Sequence, residues 1–253
     1  MEIVVALVLL FGVADALDYL GNAQLVDADL GWGAAIAVVV ILISLVGGRI
    51  IPSFTRNWMA KRGVTAGLPT QPQSLDLLVI VSTAIALLFW LAFPDVSLTG
   101  VVLILAAAAQ ALRFSRWGGH RTFADPLVVI MHAGYVWIPI GLLLLGLSVA
   151  GFDVPRSAGV HALTAGAMAT MILAVMTRAS LGHTARPLQA SPVTVAAYVC
   201  VVAGAVVRVA ASLGLGPYPM MLDVAGAIWG AAMLLFLAAY TPILWGPRLG
   251  DTA

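Results

Sequence analysis

The sequence predicts an all-α protein, a polytopic transmembrane helix bundle of about eight spans with both termini cytoplasmic. Three observations carry this. Hydrophobic residues make up 62% of the 253 positions and charged residues only 9%, with a mean hydropathy of +1.07; soluble domains carry about 25% charged residues. The apolar residues gather in runs of roughly 20, the length a helix needs to cross a hydrocarbon layer about 30 Å thick. When those runs are counted as spans, the basic residues collect on one side.

The runs fall at about 2–19, 31–50, 74–93, 96–113, 126–149, 158–178, 191–212 and 222–245, so that residues 1–253 form one transmembrane domain. None alternates as barrel strands do, which leaves helices as the spanning solution. The first run follows Met1-Glu2 without a basic n-region or a cleavage site, and reads as a genuine span or as the point where a longer protein is cut. The longest loop, 51–73, contains Pro52, Pro69 and Pro72 and is expected to be an exposed connector. With the N-terminus inside, every one of the twelve basic residues except Arg156 and Arg208 falls on the inner side, while Asp18, Asp27, Asp29, Asp95, Asp153 and Asp223 fall at or near the outer face. A miscounted span would scramble this pattern from that point on. Tryptophans 58, 90, 117, 137, 229 and 245 lie near span ends, as interfacial anchors do. The small residues of Gly226-xxx-Gly230 and Ala106–Ala109 suit close helix approach.

Composition also excludes function classes. A net charge of +1 gives no reason to expect nucleic-acid binding, and Cys200 is the only cysteine, so an intrachain disulfide and a cysteine-based metal site are ruled out. No Gly-rich phosphate loop, nucleophile elbow or HExxH occurs. Asp15 and Asp76 lie near span ends, where capping or snorkelling explains each more simply than proton relay.

Four histidines remain. His120 sits in the 113–125 loop among Arg113, Arg116 and Arg121, where a solvated side chain is the simpler reading. His132 lies about two turns into the fifth span; an intramembrane ionisable group is a functional hypothesis by default, and a neutral imidazole bonded to a neighbouring helix is the even rival. His161 opens the sixth span, with Met168 and Met171 following at i+7 and i+10. Imidazole with thioethers suits copper(I) or haem iron, although methionine at helical spacing is ordinary core filler. His183 sits just past the inner end of that span among Arg178 and Arg186. Its separation from His161 is about 33 Å if helical, too far for one ligand sphere.

The sequence resembles the NnrS family at four ordered stretches: Gly47-Gly-Arg-Ile-Ile-Pro-Ser-Phe-Thr-Arg-Asn57, Arg113-Phe-Ser-Arg-Trp117, His132-Ala-Gly-Tyr-Val-Trp137, and the long run from His161 through Met171, Arg178 and His183 to Pro187. Tyr240-Thr-Pro242 is a weaker match, and Ala185 replaces a glycine expected in the family's LGHTGRP. The resemblance implies a bacterial inner-membrane protein of the nitric oxide response, in a denitrification-linked setting, that holds haem and copper. His132, His161 and His183 become expected metal ligands; Arg49, Arg178 and Arg186 become expected partners of haem propionates or anchors of the inner loops. Catalysis, if present, would be a haem or copper redox reaction on nitric oxide. Family members look like twelve-span proteins and this chain resembles their last eight spans, so a partner chain supplying N-terminal spans is a further expectation. Two rivals stay open: a small-solute transporter or channel, and a scaffold fragment.

Overall fold

The computed structural model describes residues 2–25, 27–69 and 73–249; the side chains of residues 2–4, 7 and 28 lie outside that description. The described residues are mainly helical, with no strand among them. In chain order the helices are α1 (Glu2–Asn22), α2 (Ala28–Lys61), α3 (Ser74–Ala92), α4 (Ser97–Ser115), α5 (Pro126–Tyr135), α6 (Trp137–Val149), α7 (Arg156–His161), α8 (Ala169–His183), α9 (Pro192–Ser212) and α10 (Tyr218–Trp245). A short 3-10 turn, Gly119–Arg121, follows α4, and a π-helical segment, Ala162–Met168, joins α7 to α8.

Local chemistry sets the starts. The Asp27 carboxylate accepts the Asp29 N–H at 2.8 Å ahead of α2. Asp125 accepts the Leu127 N–H at 3.0 Å and Ser191 the Thr194 N–H at 3.2 Å. In each of these two the next residue is a proline, whose missing N–H costs nothing in a first turn. Pro139 offers no N–H to the Tyr135 carbonyl, and the helix is interrupted there, at Val136, between α5 and α6.

Seven helical stretches of the described residues are long and apolar enough to cross a membrane: Asp29–Lys61, Ser74–Ala92, Ser97–Arg121, Pro126–Val149, Arg156–His183, Pro192–Ser212 and Tyr218–Trp245. The eighth expected span coincides with α1, but its reading as a span rests partly on residues 2–4 and 7, outside the described side chains. The connector expected over 51–73 is corrected: the chain is helical as far as Lys61. Ile51, Thr55 and Met59, spaced at i, i+4 and i+8, are buried against the bundle, and this packing outweighs the break that Pro52 would otherwise make. The same effect carries α8 to His183 rather than ending it at 178.

Among the seven candidate spans, α5 with α6 forms the most enclosed and α10 the least. α2, α4 and α8 surround α5 and α6, α3 packs on α4, α1 on α2, and α10 on α9. Glycine governs the closest approach: a Cβ on Gly146 of α6 would lie 2.9 Å from the Gly100 carbonyl oxygen of α4, and one on Gly100 would lie 2.4 Å from the Ala150 nitrogen. Gly226 and Gly230, expected to serve such a contact, do not; a Cβ on either meets nothing within 4 Å, because both lie on the open side of α10. Trp90, Trp117 and Trp137 are likewise core residues rather than interfacial anchors, whereas Trp229 and Trp245 reach the outside.

Candidate functional site

The polar residues within the helices gather at two opposite ends of the bundle. One end holds the α4-to-α5 connection, the other the α6-to-α7 connection.

At the first end, Arg113 on α4 is 1% exposed, the largest fully buried side chain among the described residues. Its Nε–H donates to Asp76 Oδ1 of α3 at 2.8 Å. One Nη1 group donates to the Ser44 carbonyl of α2 at 2.9 Å and to the Tyr135 hydroxyl of α5 at 3.0 Å. Tyr135 donates onward to Gln110 Oε1 at 2.7 Å, and the Gln110 amide donates to Ser44 Oγ at 2.8 Å and to Thr83 Oγ1 at 2.9 Å. Asp76 also caps α3, its Oδ2 accepting the Gln73 N–H at 2.8 Å. Room for this comes from Gly47 and Gly48: a Cβ on Gly48 would overlap the Arg113 guanidinium, and one on Gly47 would press on the Tyr135 ring at 3.2 Å. Asp76, Gln110, Arg113 and Tyr135 leave no buried side-chain polar atom without a partner. A buried ion pair survives on such terms, so this cluster reads as a structural core that ties α2, α3, α4 and α5 together. Sequence reasoning gave Asp76 its cap and missed the pairing; the Gly47-Gly48 pair on α2 was the available signal.

His132 borders this cluster. The Thr55 hydroxyl donates to the Ile51 carbonyl at 2.9 Å, so its oxygen accepts the His132 Nε2–H at 2.9 Å. Nδ1 then carries a lone pair and is buried without a partner. The ring sits edge-on to Phe114 and Trp117, and it occupies the space a Cβ on Gly119 would take, 2.6 Å from Nδ1. None of the cavities described below is lined by His132.

At the other end His161 closes α7 and the π-helical segment follows at once. Such segments are rare and mark functional sites more often than ordinary helix does. Here the segment carries Thr164 and Ala165 to the same cavity wall as His161. That cavity, about 380 Å³, lies between this span, α9 and α10; Arg208, Trp229 and Gly226 complete it. Arg208 donates one N–H to His161 Nε2 and another to Ser212 Oγ at 2.9 Å. No carboxylate lies within 4.0 Å of Arg208 among the described residues. The expected imidazole–thioether stripe does not form: Met171 is buried against Gly134, and neither it nor Met168 lines the cavity. The π turn has wound the chain out of the 3.6-residue register on which the stripe depended.

The remaining expected site residues are dispersed. His183 ends α8 and is exposed, as are Arg49 and His120. Arg178 lies 3.8 Å from the Phe54 ring centroid, cation over face. Arg186 has one guanidinium nitrogen buried without a partner. His132, His161 and His183 are therefore not brought together, and no group of three or more His, Cys, Asp or Glu among the described residues is placed to hold a metal ion.

Fold and polar anatomy define a polytopic α-helical membrane protein of the lipid bilayer, with a buried ion pair at one end and a histidine-bearing cavity at the other. The family described as NnrS protein matches residues 2–248, nearly the whole chain, and the chain belongs to that family. No curated protein and no solved structure matches it.

Proposed function

We propose that this chain is a haem-holding protein of the bacterial inner membrane acting in the response to nitric oxide, with His161 as the haem ligand. The observation that carries the reading is the His161 cavity. Its donor set suits haem: one imidazole nitrogen for the iron, one guanidinium without a carboxylate partner for a propionate, and apolar walls including Trp229. In this reading His161 Nε2 would hold the iron and the Arg208 guanidinium would hold a propionate through charge-assisted hydrogen bonds. Haem supplies an iron centre able to bind nitric oxide and to pass an electron. The chain's own work is to orient the imidazole, neutralise the propionate and keep water from the apolar wall.

Copper, the second metal expected, finds no ready donor set. No group of three His, Cys, Asp or Glu assembles among the described residues, and the nearby methionines point elsewhere. Haem is therefore the cofactor this reading rests on.

The test is purification from cells supplied with haem and copper, followed by an absorption spectrum, pyridine haemochrome and metal analysis. The expected result is bound haem whose main absorption band shifts with nitric oxide, lost in His161→Ala and retained in His183→Ala. Arg208→Gln should weaken haem binding on the order of 10-fold, the usual effect of removing a group that supports a ligand. Haem-free, well-folded protein from such cells, or full haem content in His161→Ala, would overturn the assignment.

A further inference from the structure

A second region, between α2 and α8, has no part in the reading above. Three cavities lie end to end between α2 and α8. The first, about 340 Å³, is wholly apolar and runs beside Val39, Val46 and Ile50 of α2 and Met171 and Val175 of α8. The second, about 290 Å³, shares Ile50 and Val175 with it and continues to Phe54 and Arg178. The third, about 670 Å³, shares Phe54, Arg178 and Leu188 with the second and opens beside Lys61, Arg62 and Asp125. The shared residues make one groove, apolar along its length and basic at its mouth.

Charge and length both bear on what fits. The mouth has three cations, Lys61, Arg62 and Arg178, against one carboxylate, Asp125. None of the three cations has a carboxylate within 4.0 Å among the described residues. Arg62 and Arg178 are instead held over the faces of Trp58 and Phe54, at 4.3 and 3.8 Å from the ring centroids. These contacts fix the guanidinium groups without neutralising them. The apolar stretch from Val39 to Ile50 is about 16 Å long at 1.5 Å per residue. That equals one leaflet of a hydrocarbon core about 30 Å thick. Apolar side chains on its rim, Val46, Ile172 and Val175, are exposed from the chain itself, so the groove opens sideways to the bilayer.

We propose that this groove is a binding site for an anionic phospholipid. One acyl chain lies between α2 and α8, and the phosphate is held by Lys61, Arg62 and Arg178. A zwitterionic lipid would bring a cation of its own into the basic mouth, so the site selects for net negative charge. Trp58, beside the mouth, sits where an aromatic ring belongs at headgroup depth.

The experiment uses the purified, delipidated full chain, titrated by native mass spectrometry with phosphatidylglycerol or phosphatidylcholine of identical acyl chains, and separately with inorganic phosphate. Phosphatidylglycerol should bind in preference, and added salt should weaken it. The double variant Lys61→Gln/Arg62→Gln removes two exposed charges without touching the core. It should weaken phosphatidylglycerol on the order of 30-fold and leave phosphatidylcholine unchanged. Val175→Trp, at an exposed position, should fill the groove and weaken the lipid while every charge stays in place. Equal binding of the two lipids, or an unaltered double variant, would overturn the proposal. Tight inorganic phosphate binding that persists in Val175→Trp would make this a free-anion site, and displacement of the lipid by haem would make it a cofactor groove. Self-association that buries Val46 and Ile172 would make it a protein interface. The outcome is independent of the haem reading, since His161→Ala leaves this groove intact.

Discussion

Arg113 joins α2, α3, α4 and α5 through one guanidinium, and each bond it makes is matched by a partner that needs it. Removing one member of a buried pair strands the other charge, at about 3–5 kcal/mol. Arg113→Leu and Asp76→Asn are each expected to lower the melting temperature in detergent sharply, whereas the joint replacement Asp76→Leu/Arg113→Met should recover much of the loss. An Arg113→Leu protein that melts like the parent would remove the pair from its structural role. His132 behaves differently from His161, although the family resemblance made both expected ligands. Its ring is packed among Phe114, Trp117 and Gly119 and donates one hydrogen bond to Thr55. His132→Phe should therefore cost about 1 kcal/mol, the net worth of such a bond, and keep its haem. Loss of haem from that variant would return His132 to the list of ligands.

Helices here are matched by where they lack side chains. Gly100 and Gly146 let α4 and α6 touch backbone to backbone. Gly146→Leu should force them apart, at least the 1–3 kcal/mol typical of overpacking, and be read as a lowered melting temperature. Gly226→Leu is the contrasting case, since its Cβ meets open space. Stability should hold there, while the side chain fills the His161 cavity and haem occupancy falls. A destabilised Gly226→Leu protein with full haem would contradict both the packing and the site. The π-helical segment belongs to this scale as well. Nothing in His161-Ala-Leu-Thr-Ala-Gly-Ala-Met168 announces it, because neither proline nor an internal break occurs, and so the thioether stripe looked regular in the sequence.

Across the whole molecule, the membrane class and helical content were legible because length and hydropathy act locally along the chain. The continuation of α2 past Pro52 was not, since it depends on Ile51, Thr55 and Met59 finding neighbours far away in sequence. Asp76 with Arg113, and His161 with Arg208, were hidden for the same reason; both are pairings between helices. The charge pattern still makes a prediction at this scale. With Cys200→Ser as background, a cysteine at Asp153 should react with an impermeant reagent added to intact cells, and one at Arg121 should not. The reverse pattern would invert the orientation. The Asp76–Arg113 pair also bears on how the chain is made. Its carboxylate precedes its guanidinium by 37 residues, and synthesis runs from the N-terminus. Asp76 lies in the first turn of α3, so the pair can close only after α4 has been made and has packed back along α3. The four residues between them, Phe93 to Val96, are short enough to bring α4 straight back along α3, which sets how soon the acid meets its base.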